Sequence, residues 1–334
     1  MRLKHLISSL AIIAVLFLSC GNDDAPVNTP AANFEAFWNT FDQQYSYFEL
    51  KGIDWDAIRA AYEPQITENL NNRQLFDIFS EIIQELQDGH VGLKSSLGNS
   101  FYSLDRGTVD NSAVNLQQYI TVSQQNSRYT LGTVRNKNLG YIGVHSLSGN
   151  VDGQEYQALY QSVSSFNSYD GLIIDLRNNG GGNDGIAQRF VQSFAHQEVT
   201  FRRFRFREQS SRNAFTPWQE SRIIPDNSIN FSKPIVVLTN RRVVSSAEGF
   251  TLMLKALSNT TLMGDTTAGS TGNPGIFNLP NNWELFVSRW QVTDPDAKYV
   301  EDHGIAPDRV VWITEADRTA GRDTILQTAI DSFD

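Results

Sequence analysis

Two short runs constrain this chain more than any other feature. GLIIDL (171–176) and PIVVLTN (234–240) are apolar at nearly every position and rich in β-branched residues. A strand with alternating polarity can leave one face in water, whereas one that is apolar throughout has to be covered on both faces. Each run leads to a stretch with helical apolar spacing, DGIAQRFVQSF (184–194) and SAEGFTLMLKAL (246–257). The pair LGYIGVHSL (139–147) and DGQEYQALYQSVSSF (152–166) has the same form upstream, and TLMGD (261–265) adds a further strand. Strands alternating with helices specify an α/β fold built around a mostly parallel sheet. WELFVSRWQV (283–292) alternates with period two, as an arm of a hairpin would. FRRFRFRE (201–208) alternates Phe and Arg and reads as a half-buried edge strand with a solvated outer face; attraction of an acidic substrate is its less ordinary use.

The first third has a different period. Phe34, Phe37, Trp38 and Phe41 share one helical face, WDAIRAAYEP (55–64) follows with Pro64 as a stop, and RQLFDIFSEIIQELQ (73–87) carries Leu75, Ile78, Phe79, Ile82, Ile83 and Leu86. These predict a small helical bundle over residues 33–90 that runs directly into an α/β domain over 91–334. Residues 95–136 are polar and weakly patterned. With a single cysteine, Cys20, no intrachain disulfide is possible. The formal charge of −10 argues against a nucleic-acid partner.

The N-terminus carries Arg2 and Lys4 before an apolar run, Leu6 to Leu18, that is short for a membrane span. It ends in LFLSC and resembles a bacterial lipoprotein signal, which implies removal of residues 1–19 and lipid on Cys20. The plainer alternative is a secretory signal followed by an incidental cysteine. Residues 20–32 would then tether the folded part to a membrane surface, each buried methylene contributing about 0.8 kcal/mol.

Several features carry possible chemistry, and each has a plain structural reading. Gly180, Gly181 and Gly182 follow the strand GLIIDL; they fit a flexible loop, or backbone amides turned into a cleft. VVSSAEGF (243–250) puts Ser245 and Ser246 where a strand meets a helix, with Glu248 three residues after Ser245. That is the pattern of a capping box, and also a place where a helix dipole favours an alkoxide. A nucleophilic serine needs a base. Outside the signal the histidines are His90, His145, His196 and His303. His90 lies in LQDGHVGL, between helix and strand; His303 follows Glu301 and Asp302 in KYVEDHGIAPD (298–308).

Their order along the chain settles more than any of them alone. A helical bundle, DGH, strand–DLRNNGGG, strand–SSAE–helix, GDTTAG and EDHGIAPD resembles the tail-specific (C-terminal processing) serine proteases and their tricorn-core relatives, from about Asn33 to Trp312. The resemblance implies a ClpP/crotonase-like spiral core and a serine peptidase acting on peptides or unfolded proteins, with no metal or organic cofactor. It assigns Ser245 as nucleophile, His90 as general base, Glu301 as the group that orients it, and the amides of Ser246 and Gly181 as oxyanion donors, with Gly180 or Gly182 one alignment step away. Tail-specific members take a lysine base from the segment that here reads GDTTAGSTGN, where Ser270 stands at the lysine place. The tricorn-like histidine variant is therefore the match. There the residue before the base is a serine, here Gly89, so Glu301 is expected to reach His90 directly or through water. Many relatives insert a peptide-binding PDZ domain after the DGH segment; the roughly forty residues found there are too few for one. A degenerate relative that binds a peptide or apolar ligand is the alternative function, and the oligomeric state stays open.

Overall fold

The computed structural model describes residues 28–334, apart from 105–106, 108, 210, 227 and 229–230. The expected signal and Cys20 lie outside the described residues. The chain opens with helices α1 (Pro30–Gln44), α2 (Trp55–Tyr62) and α3 (Asn72–Glu85), then strands β1 (Gly92–Ser95) and β2 (Gly98–Phe101). Next come α4 (Leu116–Tyr119), β3 (Ile120–Gln125), β4 (Tyr129–Val134), β5 (Leu139–Val144), α5 (Gln154–Ser165), β6 (Gly171–Asp175) and α6 (Asp184–Val191). β7 (Val199–Phe206), β8 (Gln219–Ile223), β9 (Ile235–Thr239), α7 (Ser246–Lys255) and β10 (Thr260–Gly264) follow. The chain ends with β11 (Pro274–Asn278), β12 (Glu284–Ser288), β13 (Trp290–Thr293), β14 (Arg309–Val310), α8 (Glu315–Thr319) and α9 (Thr324–Asp331).

The central sheet has seven strands in the order β14-β10-β9-β6-β5-β4-β3. It is parallel from β14 to β5 and antiparallel at β5–β4 and β4–β3. The apolar runs are covered on both faces, as their composition requires. Leu172, Ile174, Ile235 and Val237 pack with residues of α5, α6 and α7, among them Leu159, Phe190 and Met253. Their neighbours Ile173, Val236 and Leu238 face the other way, against Ile325, Leu326 and Ala329 of α9. A buried triad fastens α9: the Arg177 guanidinium bonds Asp175 at 2.6 Å and Asp323 at 2.9 Å, and Asp323 caps the helix through the Leu326 amide.

The N-terminal helices do not close a core by themselves. Phe34, Phe37, Trp38, Phe79 and Ile82 share one with Val91 and Leu93 of the β1 arm and with Trp283, Leu285 and Val287 of the β12 arm. Within it Trp38 stacks on Trp55 at 4.0 Å and Phe37 on Phe79 at 4.3 Å, each such pair contributing about 0.5–1.5 kcal/mol beyond area burial. The sheet beneath these helices, β11-β12-β1-β2, is antiparallel. Loss of Trp55, fully buried at the centre of this cluster, would cost about 3–5 kcal/mol.

Three local readings are revised. The weakly patterned segment holds β2, β3 and β4; β3 escaped notice because it is exposed at every residue after Ile120. WELFVSRWQV divides at Arg289, so β12 pairs with β11 as a hairpin while β13 joins a three-stranded sheet, β13-β7-β8. The Phe/Arg strand, β7, is the middle of that sheet rather than an edge. Its arginines are absorbed by neighbours: Arg205 bonds Gln291 at 2.7 Å and stacks over Trp218 at 4.6 Å, and Arg202 pairs with Asp184 at 2.8 Å and lies 4.7 Å over Trp290.

Candidate active site

The carboxyl ends of the adjacent parallel strands β6, β9 and β10 converge, the place where open α/β sheets gather their ligands. After β6 the chain turns through Gly181 (φ +93°) and Gly182 (φ +142°). A Cβ on Gly181 would stand 2.7 Å from the Val244 carbonyl and 2.9 Å from Ser245 Cβ. Only glycine allows the two turns to meet there.

After β9 comes Ser245, with φ 60° and ψ −128°. An ordinary N-cap is extended; this conformation is one that glycine adopts readily and other residues at a cost of about 1–3 kcal/mol. The capping motif is nonetheless half used. The Glu248 carboxylate accepts the Ser245 N–H at 3.3 Å, and also the N–H groups of Gly269 at 2.7 Å and Ser270 at 2.9 Å and the Thr267 hydroxyl at 2.7 Å. Burial pushes the Glu248 carboxyl up to about 7, against the pull of these four donors. Glu248 therefore staples the loop after β10 to the serine turn, a role that its cap spacing conceals. The Ser246 side chain bonds the Gly182 carbonyl at 2.8 Å, and its N–H has no partner among the described residues. The Gly181 N–H donates to Asn179 Oδ1 at 2.9 Å; that of Gly182 is unpaired among the described residues.

His90 arrives from the other side, on the turn between α3 and β1. Its N–H donates to Asp88 Oδ1 at 2.8 Å, and its Nδ1 lies 2.8 Å from the Ser270 hydroxyl. Ser270 in turn accepts the Ser245 N–H on its carbonyl at 3.0 Å. Among the described residues no hydrogen bond joins His90 to Ser245 itself; Ser270 is bonded to both, through its hydroxyl to the ring and through its carbonyl to the Ser245 backbone. Burial lowers the His90 pKa, and the Asp88 charge works against that.

Glu301 is buried and does not reach the ring. Its Oε2 accepts from the Thr271 N–H at 2.8 Å and the Thr271 hydroxyl at 3.0 Å, and its other oxygen is 3.6 Å from Lys51 Nζ. Among the described residues the link from Glu301 to the ring runs through Thr271 and Ser270; the resemblance implies a reach either direct or through water. Burial, followed by the Asp88 charge, raises the Glu301 pKa well above the carboxylate range, with Lys51 opposing. For Lys51, burial would depress the ammonium, but Glu301 and Asp302 outweigh it and its pKa is raised. Lys51 also bonds Asp302 and donates to the Gln87 carbonyl at 3.2 Å.

A cavity of about 430 Å³ opens beside Ser245 and Ser246, bounded by Gly182, Leu252, Trp290 and the Arg202–Asp184 pair. A larger one, about 700 Å³, lies beyond Leu252 and is lined by His303 but by neither Ser245 nor His90. The Nδ1 of His303 donates to the Glu301 carbonyl at 2.9 Å, so this rival base is turned into another space. Among the described residues no cluster of three metal-ligating side chains occurs. Sequence reasoning missed Lys51, Asp88 and Thr271, and it noted Ser270 only as the residue in place of a lysine. Their one signal is density of polar residues in otherwise ordinary loops.

Comparison with known proteins identifies the family. The model for peptidase family S41 matches residues 138–311, and that for the tricorn protease C1 domain matches residues 26–84. The carboxyl-terminal-processing protease of Synechocystis is 26% identical over 198 residues, covering 58% of this chain and 44% of that protein. The tricorn protease of Thermoplasma acidophilum is 24% identical over 217 residues, 63% of this chain and 17% of that one. The chain thus spans less than half the length of these curated relatives. A crystal structure from Parabacteroides merdae superimposes with a TM-score of 0.82 at 30% identity, covering 92% of this chain and 97% of that one. With more than half its length matched by one family model, and its serine and glycine turns within that match, the chain belongs to peptidase family S41.

Proposed function

We propose that the protein is a serine peptidase that hydrolyses peptide bonds through an acyl-enzyme on Ser245. The observation that carries this reading is the Ser245 backbone, held at φ 60° and ψ −128° against the glycine turn. A cap needs no such strain, whereas a nucleophile projected from a tight strand-to-helix turn does.

In the proposed reaction His90 Nε2 takes the Ser245 Oγ proton as Oγ bonds the substrate carbonyl carbon. The negative charge moves to the carbonyl oxygen, where the Ser246 N–H and an N–H of the glycine turn stabilise it. Gly181 gives its N–H to Asn179, so it must share that hydrogen or leave the role to Gly182, whose N–H is unpaired among the described residues. The His90 cation then protonates the leaving amine as the C–N bond breaks. Water, deprotonated by His90, cleaves the acyl ester and returns Ser245. The Asp88 carboxylate supplies negative charge near the imidazolium, and Glu301 holds Thr271, the residue next to Ser270.

The substrates proposed are peptides or unfolded proteins. Lipid on Cys20 would hold the enzyme at a membrane surface, a reading that rests on the N-terminal sequence; no helix among the described residues is long and apolar enough to cross one. A fluorophosphonate probe should label the wild-type protein at Ser245 and leave Ser245→Ala unlabelled. Failure to label, together with no cleavage across a peptide library, would favour the ligand-binding alternative.

A further inference from the structure

We propose that Ser270 is the positioning residue for His90: its hydroxyl accepts the Nδ1–H and so selects the tautomer whose Nε2 is free to take a proton. The activity arm of this inference rests on the peptidase reading; the spectroscopic arm does not.

The hydroxyl lies 2.8 Å from His90 Nδ1 on a residue with no exposed surface. Every other polar group of the segment is already committed. The Ser270 N–H goes to Glu248 at 2.9 Å, and the Ser270 carbonyl receives the Ser245 N–H at 3.0 Å. Thr271 is fixed by Glu301 on its N–H and hydroxyl and by the Trp290 indole N–H on its carbonyl at 2.7 Å. Gly272 closes the cradle, since a Cβ there would come within 2.7 Å of His90 Cβ. The place of the Ser270 oxygen is therefore set by backbone contacts that do not involve the oxygen itself.

Among the described residues Ser270 is the group bonded to Nδ1, although Asp88 Oδ2 is buried without a partner. Glu301 accepts from Thr271, Asp88 Oδ1 takes the His90 backbone N–H, and Gly89 has no side chain, a Cβ there meeting Leu104 at 2.7 Å. A serine hydroxyl can donate or accept. If it donated, the ring would carry its proton on Nε2 and could not act on Ser245. If it accepts, Nε2 is the base. The division of labour is then clear: the neutral hydroxyl fixes the tautomer, and the buried carboxylate of Asp88 favours the cation once it forms.

Ser270→Ala removes only the oxygen and keeps both backbone bonds. Two measurements on the full chain test the proposal. The first is the tautomer of His90, read from long-range proton–nitrogen NMR of histidine-labelled protein at neutral pH. The Nδ1–H form is expected in the wild type and a mixture in Ser270→Ala. The second is peptide hydrolysis: kcat should fall by about 10²-fold with KM changing less than about threefold, and Ser270→Thr should recover most of kcat. An Nε2–H ring in the wild type overturns the proposal, as does Ser270→Ala with both tautomer and kcat unchanged. A wild type that cleaves nothing, but loses its Nδ1–H preference in Ser270→Ala, sinks the peptidase reading and leaves the positioning inference standing.

Discussion

The two arms of the site are built by different physics. The serine arm is backbone work: a strained residue at a strand end, glycines packed against it, and a helix start that leaves the Ser246 N–H unpaired. The histidine arm is charge work, in which Asp88, Glu301 and Lys51 lie buried within one cluster and the ring touches a hydroxyl borrowed from the other arm. Backbone geometry is local and rigid, so the serine arm is complete within short stretches of sequence. A buried charge cluster needs partners from three distant segments, so the histidine arm exists only when the N-terminal helices are docked. Damage to the first should remove chemistry at little cost to the fold. Damage to the second should show in stability and in pH dependence.

The sharpest break of that comparison is at the two serines. Ser245→Ala should lower kcat/KM by roughly 10⁴–10⁶-fold with a nearly unchanged melting temperature, since alanine keeps the same backbone strain as serine. Ser246→Ala keeps the backbone N–H and loses only the side-chain bond to the Gly182 carbonyl, so a loss of about tenfold or less is expected. Kinetics on a cleavable peptide decides it; the opposite ranking would move the nucleophile to Ser246.

Next in size is Lys51→Met. Both Lys51 and Glu301 have buried side chains, and removing one member of a buried pair costs about 3–5 kcal/mol. The melting temperature should fall by several degrees. Lys51→Met combined with Glu301→Gln should recover part of it, because the Glu301 carboxyl is no longer left buried without its partner. Additive losses in the double variant would show that the two groups do not act as a pair.

Glu248 belongs to the serine arm yet titrates, so it joins the two kinds of physics. Glu248→Gln turns an N–H₂ toward groups that all donate, an expected cost of about 1–3 kcal/mol. The sign of its pH effect follows from its raised pKa. Its folded-state carboxyl is held at about 7 against an ordinary value of 4.5, so between those values the unfolded chain has released a proton that the folded chain keeps. Its contribution to stability is full below pH 4.5 and is lost as pH rises through about 7. Urea midpoints across that window should fall less steeply in Glu248→Gln than in the wild type; parallel curves would mean that Glu248 is ionised throughout.

The same contrast explains what was legible in the sequence. The doubly covered strands could be read from composition, because Ile173 and Ile174 must each be buried and do face opposite layers. The family motifs supplied Ser245, His90 and the glycine turn. Strand β3 could not be read, since a strand exposed on both faces carries no period. Nor could the middle position of β7: its arginines are neutralised by aromatic rings and carboxylates that the linear chain keeps far away. The indirect link from Glu301 to His90 was hidden for a related reason, because it passes through the Thr271 and Ser270 backbone and not through a side-chain motif. At Gly89, whose missing side chain pointed to Glu301 reaching His90 directly or through water, the space a Cβ would take is filled by Leu104.

The smallest effect tests the charge arm alone. Burial holds the His90 pKa below the ordinary imidazole value of 6.5, and the Asp88 carboxylate draws it partly back. Since the base must be neutral to accept the Ser245 proton, kcat/KM should stay level as pH falls to 6.5 and drop only below it. Asp88→Asn keeps an oxygen for the His90 N–H but removes the charge; Glu301 and Lys51 remain as the other titratable groups of the cluster. The acid limb should then move to lower pH, by a fraction of a unit to about one unit, with kcat on the plateau changed less than about tenfold. A limb that moves upward, or one fixed in place while the plateau collapses, would mean that Asp88 shapes the turn and not the titration. The histidine arm would then be as much a matter of backbone as the serine arm it faces.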